Sequence, residues 1–346
     1  MPESLQVNLK RTWLILVRFV FLLLFLGNLA FGVLMTVGNR PMSVDPDSPS
    51  KVIRISQGMS ASQIILLLDE EGIIANPSLF RLVVTVEGAE QSLQAGSYLL
   101  NPQMTPVEII EHLRFGRVYS VQVVIPEGFE IKQIAAMLAD KGLADPERFI
   151  ALASDFRFVY GDNPPIELPI YSLEGYLYPD TYFFHEGQTE EELIVQMMGR
   201  FIEVTNEAIV PLLADSDFSL HEVTTLGSII EREIMVAQER PIVASVYLNR
   251  LAIGMPLQAD PTVRYVTAEE RPQVLYRDLE IDSPYNTYLN HGLPPGPIGS
   301  PGLDSMLAVL NPAETDYLFF VSRRDGTHEF TKTYNEHLAA RRLFGY

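Results

Sequence analysis

At 346 residues, 47% hydrophobic and 20% charged, the chain has the composition of a folded protein with room for a membrane anchor and one or two compact units. Its formal charge of −19, with a pI near 4.7, argues against nucleic acid as a partner and against a polybasic membrane-surface role, since both need a basic face. The absence of cysteine excludes disulfides, thiolate catalysis and cysteine-held metals.

The first predicted element is a membrane helix. Phe19 to Val37 reads FVFLLLFLGNLAFGVLMTV without an ionisable residue, a run of roughly 28 Å as a helix against a hydrocarbon core of about 30 Å. Lys10, Arg11 and Arg18 precede it, Trp13 offers an interfacial anchor, and Arg40, Asp45 and Asp47 follow. This asymmetry predicts residues 1–18 in the cytoplasm, residues 19–37 in the lipid bilayer of the plasma membrane, and the remainder on the extracytoplasmic side. A cleaved signal peptide fits less well, because the run is long and no small-x-small site follows it. Residues 38–50 (GNRPMSVDPDSPS) form an aperiodic linker.

Residues 51–165 predict a repeated α+β region. VIRISQGMSASQIILLLDEEGIIANPSLF from Val52 is echoed by VQVVIPEGFEIKQIAAMLADKGLADPERF from Val121. Each reads as strand, glycine turn (Gly58 or Gly128), amphipathic helix, glycine stop (Gly72 or Gly142) and a proline-led second helix at Pro77 or Pro146. Between them, Gln94 to Gly116 reads as a strand followed by a helix near Thr105-Pro106. Such units resemble LysM-type modules, which grip N-acetylated cell-wall glycans; a ligand-free spacer of the same size is the alternative.

Residues 166–346 predict an α+β domain whose chemistry centres on one helix. Ser219 and Glu222 have capping-box spacing, and LHEVTTLGSIIEREIMVAQER then carries a helical pattern up to Pro241. Leu226, Ile229, Ile230 and Ala237 define the apolar stripe. At 100° per residue Glu233 falls within about 20° of the stripe's axis and Glu231 roughly 140° away. Glu231 should therefore face solvent or a polar partner, and Glu233 the interior. A desolvated carboxyl resists ionisation and so suits protonation of a departing glycosidic oxygen. Pairing of the same glutamate with a buried arginine or hydroxyl would be purely structural.

Several long stretches carry a resemblance: LEGYLYPDTYFF (Leu173–Phe184), LGSIIERE (Leu226–Glu233), VASVYLNRLAIGMPLQADPTVRY (Val243–Tyr265), SPYNTYLNHGLPPGPIGSPG (Ser283–Gly302) and HEFTKTYNEH (His328–His337). In order and spacing this region resembles the endolytic murein transglycosylase family, the YceG-like group, with looser similarity before it. The resemblance implies cleavage of the β-1,4 bond between N-acetylmuramic acid and N-acetylglucosamine within peptidoglycan strands, leaving a 1,6-anhydro end. It implies Glu233 as catalytic acid and then base, with no cofactor, and a role near peptidoglycan synthases as a terminator of strand growth. The I-x-x-E placement also resembles the catalytic helix of lysozyme-like transglycosylases. There Ser or Thr usually follows the glutamate; Ile234 stands here, which keeps Glu231 as a secondary candidate acid.

Other candidates carry two readings each. Gln258 and Asp260 follow a helix expected from Pro241 to Gly254 and sit in a loop suited to sugar hydroxyls and amides; Asp260 could equally form a turn with Pro261. Tyr285, Asn286 and Tyr288 could stack on sugars and bind an N-acetyl group, or pack as core. Glu174 could be a second functional carboxylate or an anchor for the Gly175 turn. Asn335, Thr331 and Thr333 could help line the cleft.

A non-enzymatic, membrane-anchored glycan-binding protein is the main alternative function. Pyridoxal-phosphate chemistry would need a Schiff-base lysine, and Lys332 is the sole lysine after Lys141. The six histidines lack metal-ligand spacing, and no glycine-rich phosphate loop follows a strand.

Overall fold

The computed structural model describes residues 3–115, 120–185, 187–267 and 274–346. Gly116 and the side chains of Lys10 and Arg11 lie outside the described residues. The protein is mixed α+β and opens with α1 (Glu3–Gly38). Within α1, Leu16–Gly38 is long and apolar enough to cross a membrane, with a mean hydropathy of 2.4. Its apolar side chains, Phe19 to Val37 among them, are largely exposed.

Two compact units follow from the contacts. The first comprises residues 1–120 with 185–187, and the second 121–184 with 188–346. In the first, β1 (Lys51–Ile55) leads to α2 (Ala61–Glu70) and α3 (Pro77–Val86), and β2 (Gly96–Leu100) returns antiparallel to β1 with Ile53 opposite Tyr98. α4 (Pro106–Arg114) completes it. Ser60 and Thr105 cap α2 and α4 in reciprocal boxes with Gln63 and Glu108, as short helices need when their orphan N–H groups would otherwise go unmet. Ile53, Ile64, Leu68, Val83, Tyr98, Ile109 and Leu113 form the core.

The second unit begins with the second repeat: β3 (Ser120–Val124), α5 (Ile131–Asp140) and α6 (Pro146–Ser154). A short α7 (Arg157–Tyr160) follows, then β4 (Thr181–His185), which pairs with β3. Both repeats therefore begin strand, helix, helix and are closed by a second strand, with α7 interposed in the second, and Gly58 and Gly128 make equivalent turns with φ of +83° and +78°. Val123, Ile134, Leu138 and Phe149 join the core of the larger unit. The division thus falls at 120/121, and the boundary expected at 165/166 lies inside the second unit. Both repeats have the same local pattern, and the second shares its core with the helices that follow.

Those helices are α8 (Glu190–Ala208), α9 (Val210–Leu213), α10 (Leu220–Glu233), α11 (Arg240–Ala252), α12 (Asp260–Val266) and α13 (Leu303–Leu310). A hairpin of β5 (Phe319–Ser322) and β6 (His328–Thr331) with α14 (Tyr334–Phe344) ends the chain. α10 stops earlier than its sequence pattern suggests. Ile234 is extended (φ −114°, ψ 123°) and buried, so Glu233 is the last helical residue and Ala237 lies outside the stripe. Pro241 does not end α10 but lies in the first turn of α11, the helix expected from Pro241, where proline is tolerated.

Candidate active site

Ser219 starts α10 as its spacing predicts: its N–H donates to Glu222 Oε2 at 2.8 Å, and its Oγ accepts from the Glu222 N–H at 3.3 Å. Val223, Leu226, Ile229 and Ile230 are fully buried, and Gly227 lets α13 approach so closely that a Cβ there would sit 3.2 Å from Met306. This packing fixes the axis on which the two neighbouring glutamates diverge.

Glu233, at the C-terminal end, turns inward. Its Oε2 is enclosed and has no hydrogen-bond partner among the described residues. Burial pushes its carboxyl up to about 7; the nearby Asp260 carboxylate adds to the rise, while Arg264 and Arg250 oppose it. Near neutral pH the group exists as both acid and conjugate base.

Four groups share its environment. Tyr247 on α11 is wholly buried, and its hydroxyl has no partner among the described residues; burial first, then the Glu233 charge, drives its phenol well up. Arg250, one turn later, donates Nε to Leu318 O at 2.7 Å and Nη1 to Leu257 O. Asp260 is the first residue of α12, not part of a loop, and accepts from the Tyr288 hydroxyl at 2.6 Å. Arg264, four residues on, places Nη2 3.4 Å from the carbonyl of Arg232, the residue before Glu233. Gln258 precedes α12 with an exposed side chain and φ of +48°, a left-handed conformation that costs a non-glycine residue energy. Thr287 holds this segment in place: its O accepts from Gln258 N at 3.0 Å, and its Oγ1 accepts from Ala259 N at 3.0 Å.

The remaining sequence candidates separate from this group. Asn286 is fully buried and serves its own loop: Nδ2 donates to Leu279 O (3.0 Å) and Ile281 O (2.8 Å), and Oδ1 accepts from Tyr288 N (3.0 Å). That geometry assigns it loop closure in place of acetamide recognition. Tyr285 packs its ring on Tyr265, 5.0 Å between centroids, and Tyr265 reaches Glu174 Oε2 at 3.4 Å. Glu231 is engaged by Arg240, Ser305 and the Gly302 N–H, the polar partners its phase allowed.

Glu174 is buried where its oxygens accept from the Ile131 N–H, at the start of α5, at 3.1 and 3.3 Å. Beside it, Gly175 (φ +84°) lies so close to Pro297 that a Cβ would come within 2.3 Å. Burial, reinforced by Glu130, raises the Glu174 carboxyl to about 8 from an ordinary 4.5. Because the folded state holds this proton more tightly, stability is greatest below about 4.5 and declines as pH rises to about 8. Glu174→Gln removes the titration. Its denaturation midpoint is expected to gain on the parent's across that window and to level off above it, whereas a constant offset at all pH values would contradict the account.

Tyr247, Arg250, Arg264 and Thr287 were not singled out by sequence. The available signals were spacings: Tyr247 and Arg250 are three apart on α11, and Asp260 and Arg264 four apart on α12. Farther up α10, a cleft of about 620 Å³ is lined by His221, Thr225, Leu251, Leu293 and Pro294.

One carboxylic acid with a raised pKa, enclosed beside two guanidinium groups and a buried hydroxyl that has no partner among the described residues, has the makings of a general acid–base site without a required second catalytic carboxylate. The chain belongs to the YceG-like family, whose model matches residues 53–343. It is 38% identical over 316 residues to an endolytic murein transglycosylase of Bacillus subtilis, covering 87% of each chain. A Streptococcus pneumoniae protein with the same description is 28% identical over 309 residues, 81% of this chain and 56% of that one. A YceG-like protein of Listeria monocytogenes, solved at 2.6 Å, superposes with a TM-score of 0.57 at 35% identity, covering 85% of this chain and all of that one.

Proposed function

We infer that this chain is an endolytic murein transglycosylase, a lytic enzyme that cuts peptidoglycan strands between N-acetylmuramic acid and N-acetylglucosamine. The observation that carries the reading is Glu233: a carboxyl with a pKa of about 7 whose enclosed Oε2 has no partner among the described residues, in a family whose relatives bear that activity in their names.

The reaction needs one proton carrier. Glu233 gives its proton to the glycosidic oxygen as the bond to the muramic C1 breaks, releasing the 4-hydroxyl of the next sugar. The muramic 6-hydroxyl then attacks C1 and passes its proton to the Glu233 carboxylate. A 1,6-anhydro ring closes, no water is consumed, and the enzyme returns to its starting protonation. The Asp260 carboxylate supports this cycle by holding the Glu233 pKa up and by favouring positive charge developing at C1. The exposed Gln258 side chain is suited to sugar hydroxyls.

In this reading Leu16–Gly38 is the single membrane anchor, with a cytoplasmic N-terminus and the folded units facing the wall. The two repeats serve as LysM-like glycan contacts, α10 corresponds to the catalytic helix of lysozyme-like transglycosylases, and the enzyme ends strands beside their synthases. Mass spectrometry of products from purified glycan strands tests the chemistry. Anhydro-muramic ends are expected; free reducing ends would mark a hydrolase, and intact strands a binding protein.

A further inference from the structure

Four arginines surround the end of α10, and three have close acceptors. Arg232 bonds Glu130 at 2.5 Å, Arg240 bonds Glu231 at 2.9 Å, and Arg250 bonds Leu318 O at 2.7 Å. Among the described residues the Arg264 guanidinium has one hydrogen-bond contact, Nη2 at 3.4 Å from Arg232 O, and its Nε, like that of Arg240, is buried without a partner. A guanidinium presents a planar fork of donors that is best met by a carboxylate or carbonyl, and a buried donor left unmet is costly. The fork is anchored one residue from the catalytic carboxyl, so an acceptor bound there would lie on the sugar being cleaved.

The substrate alternates two sugars that share the β-1,4 link, the 2-acetamido group and the 6-hydroxyl. Muramic acid alone carries a 3-O-lactyl group ending in a carboxyl, which is a free carboxylate in peptide-free strands and an amide where a stem peptide is attached. We propose that Arg264 binds this lactyl carboxyl group and so determines which sugar presents C1 to Glu233. This rests on the transglycosylase reading for the sugar's identity. It adds a specificity-determining contact and gives an acceptor to a cationic fork whose one contact among the described residues is long. A guanidinium that merely faced the last carbonyls of a helix would have no reason to distinguish substrates.

The test is equilibrium binding by the full-length protein in detergent micelles, in a Glu233→Gln background so that no turnover intervenes. Two ligands are compared: peptide-free glycan strands, and the same strands with the lactyl carboxyl reduced to an alcohol. Adding Arg264→Gln is expected to weaken binding of the carboxylate strands by about tenfold to a hundredfold and to leave the reduced strands within about twofold. Arg264→Lys, which keeps the charge and loses the fork, is expected to fall between, and it carries the test should the Gln variant melt at the assay temperature. Equal weakening on both ligands would assign Arg264 to the helix end alone, and no weakening on either would remove it from the site; both results overturn the proposal. Because binding is read without catalysis, the two readings fail separately. Wild-type protein yielding no anhydro ends would sink the lyase reading while a lactyl-dependent binding difference still stood.

Discussion

Glu233→Gln is expected to lower the rate of anhydro-end formation by at least about 10²- to 10⁴-fold, the range for loss of a general acid–base group, with the fold retained. The amide has nearly the shape of the acid, and the enclosed Oε2 has no hydrogen-bond partner among the described residues that the exchange could strand. It can neither release a proton to the leaving oxygen nor take one from the 6-hydroxyl, so both halves of the cycle fail together. The pH dependence supplies a second signature. The acid form begins the reaction and its pKa in the free enzyme is about 7, so wild-type kcat/KM should be flat at lower pH and fall as pH rises through that value. Product counting by mass spectrometry between pH 5 and 9, with circular dichroism as a control, reads both effects. A Gln variant within tenfold of wild type would remove Glu233 from the mechanism, and a kcat/KM that rises through the same window would require the ionised form at the start.

Much of this geometry is local and could be read from the sequence. Ser219 with Glu222 marks the start of α10, and the helical phase turns Glu233 inward and sends Glu231 toward polar partners, because both depend only on residue type and a 3.6-residue period. The helix end was not readable. Ile234 leaves the helix to become buried, and Arg240 returns to meet Glu231, both consequences of tertiary packing. The repeats were visible as paired glycines and proline-led helices, but identical local patterns do not say which core each repeat joins. Asn286 shows the opposite error. An asparagine between Tyr285 and Thr287 looks suited to an acetamide, yet its side chain closes its own loop, a common use of asparagine in turns. Arg264 was hidden because an arginine in a short helix does not show, before the chain folds, which carbonyl or carboxyl it will meet.

Glu231 carries the second large effect, and it concerns stability. Its side chain is 7% exposed and joins three segments: Arg240 Nη2 at 2.9 Å from the start of α11, and Ser305 Oγ at 2.7 Å and the Gly302 N–H at 3.1 Å from the start of α13. A carboxylate at a helix N-terminus is favourably placed, and a buried ion pair broken from one side leaves the other charge exposed to a poor dielectric. Glu231→Ala is therefore expected to lower unfolding free energy by about 3 kcal/mol. That is the low end for a broken buried pair, because Glu127 and Asp304, 3.6 and 3.7 Å from Arg240, can take up part of its charge. Glu231→Gln should lose about half as much, since its amide oxygen still accepts from α13. Urea denaturation of the full chain measures the loss, and Glu127 reports its cause: its carboxyl is raised by burial and then by the Glu231 charge, so it should move down toward the ordinary range in the Ala variant. A stability loss without that movement would assign the effect to the α13 hydrogen bonds alone. An unchanged midpoint would mean that these three segments hold together without Glu231, and the orientation of α10 that directs Glu233 inward would then rest on its apolar face.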